Sequence, residues 1–368
     1  MIERDEIAAW LHLLQTPQLG RESIRRLLVT FGSPQGVLDA GSAARRAAAG
    51  SKAAEALDAP PDGLDALVQR TLEWLAQGQG RDIVVLGDPL YPASLLETAD
   101  PPLALHVQGR VELLAADALA VVGSRNPTRQ GVDNARDFAC HLSQAGLTIV
   151  SGLALGIDGA AHEGALQGPG STIAVVGTGL DRVYPKRHLA LAHRISDEGL
   201  IVSEYSLGAP PLGSHFPQRN RLIAGLARAT LVVEATLQSG SLITARLAAE
   251  AGREVYVIPG SIHAPQSRGC HALIKQGAKL VDGAQDILED LRPSLAPRRT
   301  PAPSPTLAPA EPADTLLQAL GYDPMTLDAL VARTGVAPAE LNARLLELEL
   351  DGRVARLPGQ RFQRVARA

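Results

Sequence analysis

The chain has 368 residues, 45% hydrophobic and 20% charged, the balance of a folded polypeptide of two or three domains rather than a disordered one. Its formal net charge of -4 neither announces nor excludes a polyanionic partner, because phosphate affinity follows local clustering of Arg and Lys. No apolar run approaches the ~18–20 residues that span a bilayer. Met1 to Glu6 lacks the basic start and apolar stretch of a signal peptide, so a cytoplasmic protein with no membrane partner is expected. Cys140 and Cys270 lie far apart, and His162-Glu163 lacks the second histidine of a zinc-binding helix. No disulfide framework, metal or cofactor is expected.

Residues 1–80 read as helical. Ile7, Trp10, Leu11, Leu13 and Leu14 recur at helical spacing, as do Ile24, Leu27, Leu28 and Phe31. Gly20 precedes the second stretch and Gly32-Ser33-Pro34 closes it. The expectation is a small domain of SAM or helix-hairpin-helix type, either touching DNA or serving as a bundle without such contact.

Residues 81–292 have a different texture. Short apolar runs recur at Ile83–Leu86, Ala118–Val122, Leu147–Val150, Thr172–Val176, Leu200–Val202, Leu231–Val233 and Val255–Ile258. Helical patterns such as Val132–Ala145, Leu189–Glu198 and Ser241–Ala251 lie between several of them. Strands buried on both faces and alternating with helices predict an α/β, Rossmann-like, doubly wound parallel sheet, with ligands at the carboxyl ends of its strands. Residues 293–313 are a Pro-rich linker, expected to be extended. Residues 314–368 have the pattern of a winged helix: helices at Thr315–Leu320, from Thr326 to Arg333, and from Pro338 to Gly352, then strand, turn and strand. Its third helix carries Glu340, Glu347 and Glu349 against Arg344. That charge suits protein contact or spacing better than base reading.

Five loops at predicted strand ends hold the candidate site. Gly123-Ser124-Arg125 offers backbone N–H groups before a helix start, together with a guanidinium fork for phosphate. Ser151-Gly152 opens a small-residue stretch in which Asp158 and His162 stand four apart, as a catalytic pair or as a structural hydrogen bond. Gly177-Thr178-Gly179 begins like a dinucleotide fingerprint, but Arg182 replaces the third glycine and Tyr184-Pro185 interrupts the helix; NAD binding is rejected and Lys186 is left available to a phosphate. Phe216, Arg219, Asn220 and Arg221 combine charge, amide and aromatic, as a single strand requires. One of the two arginines is expected to pair internally with Glu204 or Glu234. Ser239-Gly240-Ser241 forms a further backbone anion site.

These motifs, written GSR, SGLALGIDGAAH, GTGLDRVYPKRH, SEYSLG, FPQRNRLIAGL, EATLQSGSLITARLA and VIPGS…GCHALIKQGAKLV, resemble the DprA/Smf family over residues 118–282 without a break. The resemblance implies a homodimeric protein that binds and protects single-stranded DNA and helps load RecA during natural transformation. It makes Arg125 and Lys186 the main phosphate contacts, with Arg219 and Asn220 beside them. It also places the dimer surface after Gly269, at His271 and Ile274. Gly213-Ser214 departs from relatives that carry a basic residue there. Two alternatives stay open. The core is also similar to nucleoside-monophosphate phosphoribohydrolases, but Thr244 stands where their catalytic glutamate would be, leaving no acid-base agent and no catalytic residue to name. The chain could otherwise act chiefly as an adaptor through its terminal domains.

Overall fold

A computed structural model describes residues 3–78, 80–295, 315–320, 325–350, 354–357 and 361–364. Residues 1–297 form one compact unit and 298–368 another. The strands of the first unit are β1 (Arg81–Val85), β2 (Ala104–Gly109), β3 (Ala118–Val122), β4 (Thr148–Ser151), β5 (Thr172–Val175), β6 (Leu200–Ser203), β7 (Ala229–Val232), β8 (Glu254–Val257) and β9 (Lys279–Leu280); the seven apolar runs account for all but β2 and β9. They join in one sheet ordered β1-β2-β6-β5-β4-β3-β7-β8-β9.

From β6 to β9 every neighbouring pair is parallel. β1 and β2 run antiparallel to each other, and β2 runs antiparallel to β6, so the expected parallel sheet carries an antiparallel edge. Parallel neighbours need a crossover, usually a helix. The β1–β2 connection holds only the four-residue helix Ala93–Leu96.

The side-chain alternation of β3 shows how both faces are buried. Ala118, Ala120 and Val122 pack with Leu222 and Ile223 of helix His215–Leu226 and with Ala245 of helix Ser241–Glu250. Leu119 and Val121 pack on the opposite face with Ala135 and Leu142 of helix Arg129–Gln144 and with Ile157 of helix Ile157–Ala165. Each of the Val, Leu and Ile side chains among them contributes roughly 1.5–3 kcal/mol on burial. The chain builds outward from β3 through β4, β5 and β6 on one side, then returns to build β7, β8 and β9 on the other. The crevice at the carboxyl ends of β3 and β7 is therefore the topological switch point.

The N-terminal helices share a core with the sheet. Trp10, Leu13, Ile24 and Leu27 cluster with Ile83 and Val85 of β1 and with Leu103 and Ala104. Asp100 binds Arg21 at 2.6 Å and Arg25 at 2.9 Å. Helix Ala284–Leu295 runs three residues into the stretch expected as linker; 296–313 lie outside the described residues.

The second unit is a winged helix. Helices Thr315–Leu320, Leu327–Thr334 and Pro338–Leu350 enclose Leu320, Leu330, Leu341, Leu345 and Phe362. β10 (Met325–Thr326), β11 (Val354–Leu357) and β12 (Arg361–Arg364) form a separate antiparallel sheet. Thr326 caps the second helix through Ala329 N–H, and Gly335 ends it at φ +70°, a left-handed value that favours glycine.

Candidate nucleic-acid interface

The switch point holds a groove of ≈ 490 Å³. Gly123, Ser124, Arg125 and Asn126 line it after β3, Phe216, Arg219 and Asn220 from helix His215–Leu226, and Ser239, Gly240, Ser241 and Thr244 after β7. Gly123 has no room for a side chain: a Cβ there would stand 2.7 Å from Ile157 and 2.9 Å from Glu234 O. Arg125 is exposed, with its guanidinium 5.7 Å from the centre of the Phe216 ring. The Phe216 ring lies 5.6 Å from that of Tyr184, two residues before the exposed Lys186. No ion pair among the described residues engages Arg125, Lys186 or Arg187. Ser239 and Ser241 hydroxyls lie 2.6 Å apart, and Asn220 Nδ2 donates to Gly240 O at 3.3 Å.

Two anion positions that a strand-to-helix turn offers to a ligand are filled from within. At the start of helix Arg129–Gln144, Glu234 accepts the Thr128 N–H at 2.9 Å and its hydroxyl at 2.5 Å. Gly131 leaves space for that carboxylate. After β4, Asp158 accepts the N–H groups of Gly152 and Ala154 at 3.2 and 3.3 Å. Ser151 is fully buried and donates to Val121 O at 2.6 Å. Ser151 and Gly152 are therefore corrected from ligand contacts to framework, because an internal carboxylate and a strand carbonyl already satisfy their polar atoms.

The rest of that stretch supports the Lys186 turn. Leu153 has φ +57°, unusual for a side-chain-bearing residue, and two histidines hold it. His162 Nε2 accepts its N–H at 3.3 Å, and His188 Nδ1 lies 3.0 Å from its carbonyl. Thr172 donates its hydroxyl hydrogen to Ile149 O and so accepts from His162 Nδ1–H at 2.7 Å, which sets the tautomer. Gly159 makes room for the His188 ring, 2.7 Å from where its Cβ would lie. Burial, then His188 and Arg219, push the His162 pKa down to about 3. Asp158 and His162 serve different backbone groups and are not a catalytic pair.

The internal pairing expected of one arginine is found at Arg221 with Glu204, and Arg219 is enclosed as well. Arg219 is 3% exposed and donates to Gly152 O and Val175 O, tying its helix to the ends of β4 and β5. Burial pushes its pKa down to about 10 against the opposing charge of Asp158, whose own pKa burial raises. Arg221 is bound by Glu204 and lies 3.6 Å from Asp100. Both guanidiniums are held by internal oxygens and are not open phosphate contacts. Sequence reasoning also missed Glu234 as the partner of Thr128. Its position at a strand end opposite a Thr-capped helix is the one available signal.

The family model described as DNA recombination-mediator protein A matches residues 82–292, and the DprA winged helix domain matches 300–360. The chain belongs to the DprA/Smf family. Protein Smf of Escherichia coli is 44% identical over 298 residues, covering 79% of each chain. DNA processing protein DprA of Streptococcus pneumoniae is 50% identical over 203 residues, 55% of this chain and 72% of that one. The X-ray structure of the S. pneumoniae protein superposes with a TM-score of 0.68 at 38% identity, over 78% of this chain and 98% of that one. DNA processing protein A from Helicobacter pylori, whose structure describes a single-stranded DNA binding mode, gives 0.53 at 31% identity, over 58% and 97%.

In this DprA/Smf chain, Thr244 is buried at the groove with no carboxylate in its place. Among the described residues no cluster of His, Cys, Asp and Glu has the makings of a metal site, and no helix is long and apolar enough to cross a membrane. His271 and Ile274 lie on helix Arg268–Lys275. His271 Nε2 is 2.9 Å from Gly260 O, and Ile274 packs partly against the core of its own chain.

Proposed function

We propose that the switch-point groove binds and protects single-stranded DNA, with Arg125 and Lys186 as its phosphate contacts and Gly123, Ser124, Asn220 and the 239–241 loop as its lining. One observation carries this reading. Arg125 and Lys186 stay exposed and unpaired beside an aromatic pair, whereas the neighbouring arginines and anion sites are closed by internal partners. A single strand needs cations that follow its backbone and π faces for its bases; a dinucleotide needs the open helix start that Glu234 fills. The single-stranded DNA bound by the H. pylori relative agrees with it.

The same reading makes the protein a non-enzymatic cytoplasmic helper of recombination, which hands the protected strand to RecA and works as a homodimer through the face around His271 and Ile274. A cavity of ≈ 630 Å³ adjoins that face, with Leu242, Ile243, Ala272 and Leu273 in its walls beside Arg246, Glu254 and Gln276, and gives a mixed apolar and polar surface for a self-complementary contact. Gel shifts of single-stranded DNA, duplex DNA and mononucleotides across a salt series test the function. Single strands should bind far better than the other two, with affinity falling steeply as salt rises. Equal binding of duplex, or release of free base from a nucleotide, would overturn it.

A further inference from the structure

Arg125 and Lys186 stand on different connections, the first after β3 and the second after β5, and β4 lies between those strands in the sheet. The loop that leaves β4 reaches both. Toward Arg125, Ile157 N–H donates to Ser124 O at 3.1 Å. Gly156, at φ +83°, packs so closely on the Arg125 loop that a Cβ would stand 2.9 Å from the Arg125 carbonyl carbon. Toward Lys186, Leu153 O lies 3.0 Å from His188 Nδ1, which carries the hydrogen because a carbonyl only accepts. His188 ends the short turn that begins at Lys186 and directly precedes helix Leu189–Glu198, so holding its ring holds the turn.

Between these two ends the loop has little freedom. Gly152 O accepts from the buried Arg219, and the N–H groups of Gly152 and Ala154 donate to Asp158. Leu153 is held in the left-handed region by His162, whose Nε2 accepts its N–H. The His188 ring rests where Gly159 leaves out a side chain, since a Cβ there would lie 2.7 Å from Cε1 and 2.9 Å from Nε2. Lys186 itself is exposed, with no ion pair among the described residues, so its reach is set by the turn beneath it. We propose that this loop is a bracket fixing the spacing of the two phosphate contacts, and that His188 is the residue that positions Lys186 on it. The inference rests on the groove reading above and adds to it a residue that acts without touching the strand.

Oligothymidylate binding over a salt series tests this with the full chain, Lys186→Ala, His188→Ala, the double variant and His188→Asn. His188→Ala should weaken binding as much as Lys186→Ala does, on the order of tenfold, and reduce the log–log salt slope by the same ~0.7. The double variant should be no weaker than either. His188→Asn keeps a side-chain N–H at the position of Nδ1 and should recover most of the loss. Arg125→Ala should weaken binding by the same factor whether His188 is present or replaced, because the other end of the bracket is untouched. Gly159→Ala displaces the ring from the facing helix and should reproduce the His188→Ala loss; it takes the place of that variant if His188→Ala does not fold. Losses that multiply in the double variant, an unchanged salt slope, or no recovery with asparagine overturn the positioning role and leave the groove standing. Wild-type binding by Lys186→Ala overturns it too, and if Arg125→Ala also binds as the wild type does, the groove reading falls with it.

Discussion

Arg219 and Arg221 sit one turn into a helix that borders the groove, and Arg125 and Lys186 sit on loops at the same end of the sheet, yet the two sets meet opposite surroundings. The helix pair is enclosed by carbonyls of β4 and β5, by Asp158 and by Glu204. The loop pair faces outward with no ion pair among the described residues. Positive charge near a phosphate groove therefore divides into a part that closes the fold and a part left for a ligand. Only an inventory of oxygen partners separates them.

The comparison breaks first at Arg219. Arg219→Ala leaves the Asp158 carboxylate and two strand-end carbonyls buried without their cation, and should lower the unfolding free energy by ~3–5 kcal/mol, read by urea denaturation. A fully stable variant that had only lost DNA binding would return Arg219 to the ligand side.

The closed side should also weaken in acid. Burial holds His106 at about 4 and His162 at about 3, below the ordinary 6.5. The unfolded chain takes up protons that the fold refuses, so this stability is complete above about pH 6.5 and declines as pH falls toward those values. Each imidazole accounts for roughly 2–3 kcal/mol between pH 6.5 and 4.5. His106→Leu should flatten the pH dependence of the urea midpoint; an unchanged slope would show that another group sets it.

On the open side, Arg125→Ala and Lys186→Ala should leave stability within ~0.5 kcal/mol. Each should weaken single-strand binding on the order of tenfold and reduce the log–log salt slope by ~0.7. Intact binding in the double variant would remove this groove from the reading. The smallest effect sharpens the contrast by addition. Gly213 is exposed with open space around a Cβ, so Gly213→Lys should fold normally and raise affinity by a few-fold, with a steeper salt slope. No gain would place the strand's path away from that edge.

The sheet's interior strands were legible because they are buried on both faces and read as continuous apolar runs. β2 was not: His106 and Gln108 interrupt its pattern, and its antiparallel pairing depends on a connection whose course no local signal reveals. β9, with two residues, is too short to read. The Arg125 and Lys186 loops stood out by residue type. The burial of Arg219 was within reach, since 219, 222, 223 and 226 share helical spacing and form a buried face. The stretch from Ser151 to His162 was the most misleading. It is distinctive because each residue fits a neighbour, and its chemistry is that of a mounting for the Lys186 turn.

The two rims of the nine-stranded sheet bear on how copies of the chain meet. At one rim, Asp82 accepts the Ile83 N–H of β1 at 2.8 Å, so a donor on the outermost strand is consumed by the side chain beside it. At the other, β9 spans two residues, and Lys279 is pinned by Asp290 at 2.7 Å and Glu254 at 3.2 Å. Blunted rims of this kind resist strand-to-strand addition. Self-association would then be left to the helical faces, and the molecule is guarded against the open-ended ribbons by which large sheets aggregate.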